Sequence, residues 1–146
     1  MEARMDVYKL APGSLQAMLS LQQFVDNSGI DKTICELIKI RASQINGCVF
    51  CLNMHTKDAR KIGETEQRIY GLSAWQEAPY YTDKERAALA LTEAVTLVST
   101  SHVPDEVYNA ALKVFTPEEI AVVIIAIVTI NAWNMLSVTA RKQPLG

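Results

Sequence analysis

The 146-residue sequence has few of the features that mark exported, fibrous or nucleic-acid-binding chains. It contains three cysteines, an odd count that argues against a disulfide framework and for a reducing compartment. No cluster of Lys and Arg is longer than the Arg141-Lys142 pair, so neither nucleic acid nor an anionic membrane is expected as a partner. Charged residues make up 21% and apolar residues 49%, which is the balance of a globular domain.

Long hydrophobic runs, internal repeats and Gly/Ser linkers are also missing. The longest apolar run, Ile120 to Ile130, is broken by Thr129 and is shorter than the roughly 20 residues that span a bilayer. Residues 1–6 mix both charge signs without an apolar core behind them, so we expect no secretory signal and a cytoplasmic location. Residues 1–146 are therefore expected to form one domain.

Turn residues and helix caps divide the chain into helices, and no segment alternates like a strand. The capping boxes that begin at Thr82 and Thr116 are the strongest start signals. The predicted helices run from Ser14 to Asn27, from Asp31 to Asn46, from Cys48 to Ile62, from Thr65 to Tyr70, from Thr82 to about Ser99, from Pro104 to Val114 and from Thr116 to near Ser137. An all-α bundle follows, with a last helix that is apolar nearly all round and so either central or covered by another subunit.

One helical face carries the most reactive side chains. Cys48, Cys51 and His55 lie at i, i+3 and i+7, so they project from the same side of the helix that follows Asn46-Gly47. A helix N-terminus favours negative charge and lowers the pKa of a thiol there, most of all for Cys48. An imidazole one turn beyond Cys51 can take or return its proton.

Glu36 is the fourth candidate. The tight turn at Asn46-Gly47 is expected to fold its helix back against the CxxC helix, which brings a carboxylate towards the thiols. Its neighbours Cys35 and Leu37 are apolar, so we expect partial burial and a raised pKa suited to proton transfer. Cys35 itself is interpreted as a small core residue.

Zinc binding is the main chemical alternative, with Cys48, Cys51 and His55 as ligands and Glu36 or Cys35 as the fourth. Structural zinc usually joins two chain segments, each with a ligand pair, whereas these three candidates share one helix. The pattern therefore favours a redox-active pair, and we predict no metal and no other cofactor.

The segment from Glu36 to His55 resembles the signature of the alkyl hydroperoxidase D-like proteins of the carboxymuconolactone decarboxylase superfamily. That signature has a Glu, then Arg-x-Ser-x-x-Asn-x-Cys-x-x-Cys, then a His four residues later, and all of these positions are filled here. The likeness extends to Leu72, Trp75, the helix start at Thr82 to Leu91, and Ile130 to Asn134.

The resemblance implies an AhpD-like helical bundle that assembles as trimers or hexamers, with the active site near a subunit contact. It implies a thiol peroxidase in which Cys51 attacks the hydroperoxide and becomes a sulfenic acid, while Cys48 donates a proton and then closes the disulfide. Glu36 and His55 relay protons, and an external dithiol or protein donor reduces the disulfide. The alternatives are a disulfide oxidoreductase or redox sensor without peroxidase activity, a lactone decarboxylase and a zinc-binding module. The decarboxylases of the superfamily lack the CxxC, so its presence here argues against lactone decarboxylation.

Overall fold

The computed structural model describes residues 1–146 and is all-helical, as predicted. The helices are α1 (Val7–Leu10), α2 (Ser14–Asp26), α3 (Lys32–Asn46), α4 (Val49–Lys61), α5 (Glu66–Tyr70), a 3₁₀ helix (Gly71–Ala74), α6 (Asp83–Thr96), α7 (Val98–Ser101), α8 (Asp105–Leu112) and α9 (Pro117–Ala140).

Local capping chemistry explains most of the helix starts. Both predicted capping boxes are present: the Thr116 hydroxyl accepts from the Glu119 N–H, and the Glu119 carboxylate accepts from the Thr116 N–H. Thr82 and Glu85 repeat this arrangement at the start of α6. Pro117 occupies the first helical position of α9, where its missing N–H costs no hydrogen bond. These caps involve only residues within one helical turn of each other.

Several helix bounds differ from the predicted ones. The helix that starts after Thr82 ends at Thr96 rather than near Ser99, because the backbone of Leu97 leaves the helical region and the short α7 follows. The last helix continues past Ser137 to Ala140, a residue buried in the fold, and ends where Arg141 takes a left-handed conformation. The short α1 was not predicted; the Asp6 carboxylate caps it by accepting from two backbone N–H groups.

Helix α9 lies at the centre of the bundle and packs against α2, α3, α4, α6 and α8. By length and composition alone, α9 is long and apolar enough to cross a membrane. The uninterrupted apolar run within it is shorter than the roughly 20 residues that span a bilayer. Half of its most apolar part is buried within the fold, and the other half is not covered by this chain. Its central position confirms one of the two placements expected from its apolar surface.

Helix α3 lies between α4, α6 and α9. The apolar residues of the largest core cluster come from α3, α6, α8 and α9: Ile34, Ile38, Ala42, Ala87, Ala88, Leu91, Ala111, Phe115, Ile120, Val123, Ile127 and Ile130, with Phe115 in the loop before α9. Because α3 is anchored along this cluster, the side chains on its α4 side have fixed positions. This packing is what aligns Glu36 with the CxxC helix.

Candidate active site

A tight turn joins α3 to α4 and sets the position of the first cysteine. Gly47 has a φ of 66°, in the left-handed region that costs glycine little, and it ends α3. The Cys48 N–H donates to the Ser43 carbonyl at 3.0 Å. The chain therefore reverses within two residues, and α4 packs back against α3 as predicted.

Three asparagines tie this turn to the central helix. The Asn46 side-chain amide donates to Asn131 Oδ1 at 2.8 Å and to Asn134 Oδ1 at 3.0 Å. Asn134 in turn donates to Ser43 Oγ at 3.0 Å. Because Asn131, Asn134 and Ser43 are buried, these bonds replace water and hold the CxxC turn in a single position. From the sequence, both α9 asparagines belonged to the likeness at Ile130 to Asn134, but no partner was predicted for them.

Cys48 and Cys51 are joined by a disulfide, with their Cα atoms 5.4 Å apart, and both are buried. Cys48 is the N-cap of α4, one residue before the first turn in which the sequence placed it, and its Sγ accepts from the Cys51 N–H at 3.3 Å. A backbone donor at a helix N-terminus stabilises negative charge on Cys48 whenever the disulfide is opened. The predicted i, i+3 spacing thus brings the two sulfurs together.

His55 lies between two carboxylates. Its Nδ1 is 3.5 Å from Glu36 Oε2 and 3.6 Å from Asp58 Oδ2, separations longer than an ordinary hydrogen bond. The His55 and Glu36 side chains are 13% and 14% exposed, whereas Asp58 is 40% exposed. His55 Nδ1 and Glu36 Oε2 have no closer hydrogen-bond partner in the fold. The packing of α4 against α3 brings Glu36 to the imidazole, whereas the sequence interpretation expected this carboxylate to approach the thiols. It also adds Asp58, which the sequence interpretation missed although it lies three residues after His55.

Lys39 is a second residue that the sequence interpretation missed. Its Nζ lies 3.0 Å from Glu36 Oε1, and its side chain is only 13% exposed. The spacing Glu36 to Lys39 is a common helical ion pair, but nothing in the sequence distinguishes a buried pair from a solvated one. One Glu36 carboxylate thus faces an ammonium through one oxygen and an imidazole through the other.

The expected raised pKa of Glu36 is wrong. Burial alone would raise the pKa of this carboxyl, but His55 and Lys39 together outweigh burial and hold it below its ordinary value of 4.5. Burial would likewise lower the pKa of Lys39, but Cys35, Glu36 and Asp26 raise it instead. Glu36 is therefore a carboxylate and Lys39 an ammonium near neutral pH.

A cavity of about 370 Å³ opens beside α4 and reaches one of the two cysteines. Cys51, His55 and Lys39 line it, whereas Cys48 does not. The remaining lining residues come from both ends of the chain and from α2, α4 and α9: Tyr8, Leu15, Leu19, Gln22, Asp26, Phe50, Met54, Trp133, Ser137 and Lys142. The space is mostly apolar and holds a few polar groups, which is typical of a small-molecule site.

The donor set that the structure offers a metal ion differs from the predicted one. Glu36, His55 and Asp58 each place one donor atom within 4.8 Å of the others. Cys48 and Cys51 are bonded to each other and supply no thiolate ligand in this state. Cys35 packs in an apolar cluster, where burial raises the pKa of its thiol, in keeping with its interpretation as a core residue.

Comparison with known proteins identifies the class to which this fold and site belong. Residues 12–94 match the model of the carboxymuconolactone decarboxylase family, so the chain belongs to that family. It is 45% identical over 143 residues to the uncharacterized protein YdfG of Bacillus subtilis (strain 168), an alignment that covers 98% of this chain and 97% of YdfG.

Other relatives confirm the resemblance to alkyl hydroperoxidase D-like proteins. Alkyl hydroperoxide reductase AhpD of Streptomyces coelicolor is 38% identical over 81 residues, which cover 53% of this chain and 45% of that protein. The crystal structure of ATU0492, a protein of unknown function from Agrobacterium tumefaciens, has a TM-score of 0.96 and 39% identity, covering 99% of both chains. The debrominase Bmp8, in complex with 2,3,4-tribromopyrrole, has a TM-score of 0.80 at 18% identity, covering 94% of this chain and 74% of its own, and shows a shared fold alone.

Proposed function

We propose that this protein is a thiol-dependent peroxidase that reduces an organic hydroperoxide through Cys51 and is recycled by an external dithiol. The observation that carries the proposal is that Cys51 lines the 370 Å³ cavity together with His55, while Cys48 lies outside it. A substrate in that cavity would meet one sulfur and one imidazole. The membership in a family that includes AhpD relatives supports the same chemistry.

The reaction has three steps. The Cys51 thiolate attacks the terminal oxygen of the hydroperoxide, the O–O bond breaks, and the products are a Cys51 sulfenic acid and an alcohol once the leaving oxygen gains a proton. The Cys48 thiol then attacks the sulfenic sulfur and releases water, which gives the Cys48–Cys51 disulfide. An external dithiol reduces that disulfide by exchange and is itself oxidised.

The order of the two cysteines follows from their different surroundings. The Cys51 N–H at the N-terminus of α4 favours negative charge on the Cys48 sulfur, whereas the cavity gives a substrate access to Cys51. We assign Cys51 as the attacking thiol because access decides which sulfur meets the substrate. The backbone N–H bonded to Cys48 then makes Cys48 the better leaving thiolate when a dithiol attacks Cys51.

The Glu36–His55 contact supports a proton relay. His55 lines the cavity, and its Nδ1 faces Glu36 and Asp58. We propose that His55 accepts the Cys51 proton and that Glu36 orients the ring and balances its charge. Apo distances of 3.5 Å are compatible with this role because such contacts tighten when substrate binds.

We also propose a homo-oligomer, trimeric or hexameric, in a reducing cytoplasmic setting. The exposed apolar side chains Val128, Met135 and Val138 on α9 support an assembly surface, since Met135 is 64% exposed on the central helix. Light scattering coupled to size-exclusion chromatography measures the oligomer mass directly. A monomer at micromolar concentration would contradict this part of the proposal.

The peroxidase proposal is tested by exposing the reduced protein briefly to cumene hydroperoxide with a sulfenic-acid trap, followed by mass spectrometry. We expect the trapped adduct on Cys51 in Cys48→Ser and no adduct in Cys51→Ser. Cys35→Ser is the matched control and should consume peroxide at the wild-type rate, because Cys35 is buried in an apolar cluster. If the protein exchanges disulfides with dithiols but consumes no peroxide, the disulfide oxidoreductase alternative replaces this proposal.

A further inference from the structure

The cavity contains a largely buried cation, Lys39, that the proposed relay of Glu36 and His55 does not use. Lys39 is 13% exposed and lines the same space as Cys51. Its ammonium has three N–H donors, of which only one has a partner in the fold, Glu36 Oε1 at 3.0 Å. No other carboxylate oxygen lies within 4.0 Å of Nζ, although Asp26 also lines the cavity. Two N–H donors are thus left for whatever occupies the cavity.

Peroxide reduction creates a specific need for such a donor. When the Cys51 thiolate attacks RO–OH, the electron pair of the O–O bond moves to the oxygen bearing R, which leaves as an alkoxide. Alkoxides are strong bases, so a preorganised cation near that oxygen stabilises the transition state more than the ground state. Glu36 and Asp58 are anionic groups that cannot do this, and both contact the same nitrogen of His55.

We propose that Lys39 is a further catalytic residue, whose ammonium donates to the leaving oxygen of the hydroperoxide and gives it the proton that completes the alcohol. The inference rests on the proposed peroxidase function. The sulfur is oxidised to the sulfenic acid and the O–O bond is reduced. His55 then releases to water the proton it took from Cys51, and Lys39 takes a proton back from water, so that no net proton is gained or lost. The Glu36 contact holds Nζ in place beside the cavity and keeps Lys39 charged before each turnover.

The test compares oxidants whose leaving groups differ in basicity. tert-Butyl hydroperoxide releases a strongly basic alkoxide, and peracetic acid releases acetate, which needs no such help. In single turnovers of reduced protein, Lys39→Met should slow reaction with tert-butyl hydroperoxide on the order of 100-fold and with peracetic acid by less than about tenfold. Lys39→Arg keeps the charge and the N–H donors, so it should react with tert-butyl hydroperoxide about tenfold faster, or more, than Lys39→Met does.

Two controls separate this role from a structural one. Lys113→Met makes the same chemical change at an exposed lysine that forms no ion pair or side-chain hydrogen bond, and should react like the wild type. Alkylation of Cys51 by iodoacetamide, at a pH where the thiol is fully ionised, involves no leaving oxygen. Its rate should be unchanged in Lys39→Met if Lys39 acts on that oxygen.

The outcomes are distinct. Equal slowing with both oxidants, or slower alkylation, would overturn the inference, because Lys39 would then act on the thiolate or on the fold. If circular dichroism shows that Lys39→Met does not fold, Lys39→Gln replaces it as the variant without the charge. Its rates with the two oxidants are then compared with those of Lys39→Arg, which keeps the charge. A wild-type protein that reacts with neither oxidant overturns the peroxidase function and the inference together, whereas an active wild type matched by Lys39→Met overturns only the role of Lys39.

Discussion

Replacing Asn134 by Ala tests whether the buried asparagine cluster stabilises the fold around the CxxC turn. The Asn134 side chain is completely buried, accepts from Asn46 Nδ2 at 3.0 Å and donates to Ser43 Oγ at 3.0 Å. Alanine removes both hydrogen bonds and leaves a small cavity. Neither partner is orphaned, because Asn46 still donates to Asn131 and the Ser43 hydroxyl still donates to the Lys39 carbonyl.

The expected loss follows from these contacts. Two net hydrogen bonds contribute about 0.5–1.5 kcal/mol each. The cavity left by a truncated buried side chain adds about 1 kcal/mol. We therefore expect the free energy of unfolding to fall by about 2–4 kcal/mol and Tm by roughly 5–15 °C.

Urea unfolding followed by far-UV circular dichroism measures this change. The wild type and the variants are compared in the oxidised state and at one protomer concentration, because assembly would make stability depend on concentration. Asn109→Ala is the matched control: Asn109 is exposed on α8 and makes no side-chain hydrogen bond, so its loss should change stability by less than about 0.5 kcal/mol. If Asn134→Ala lowers the free energy of unfolding by less than about 1 kcal/mol at an unchanged m value, the reasoning about the cluster is refuted.

Three further predictions concern the pH dependence and the caps. The pKa of Glu36 in the folded protein lies below 4.5, so the ionised carboxylate stabilises the fold above that pH, and this contribution is lost as the pH falls through the folded pKa. Glu36→Gln should therefore be less stable than the wild type near pH 7, and the two stabilities should converge as the pH is lowered. A stability difference that stays constant with pH would contradict this pH dependence. Gly47→Ala meets no atom within 4 Å, so only the left-handed backbone opposes it, and calorimetry should show a loss of about 1 kcal/mol. Thr116→Ala removes the acceptor for the Glu119 N–H and should cost about 1 kcal/mol, which Thr116→Ser recovers; an unchanged Tm in the alanine variant would count against the cap.

Features set by neighbours along the chain could be predicted from the sequence. Thr116 and Glu119 are three residues apart, so their reciprocal hydrogen bonds depend on local geometry alone. The same holds for the spacing of Cys48 and Cys51, which brings the sulfurs together at the N-terminus of α4. The left-handed turn at Gly47 also requires no distant partner. In each case, the atoms that interact lie within one turn of helix.

Features that depend on burial and on distant partners could not be predicted. Lys39 was readable as an ion-pair partner of Glu36, but its burial depends on how α2 and α4 cover α3. The pKa of Glu36 was predicted with the wrong sign because burial was considered without the two groups that oppose it. Asn131 and Asn134 lie more than 80 residues from Asn46, and only the packing of α9 against α3 makes them its partners.

By itself the sequence determined the longer helices, the caps of α6 and α9, the paired cysteines and the histidine on their face, because these rest on backbone hydrogen bonds and a 3.6-residue repeat. The tertiary structure alone decided which cysteine faces a cavity, which charges surround Glu36 and which lysine is buried beside them. The physical reason is that solvation and Coulomb energies depend on distances between segments far apart in the chain, and those distances exist only once the helices have packed.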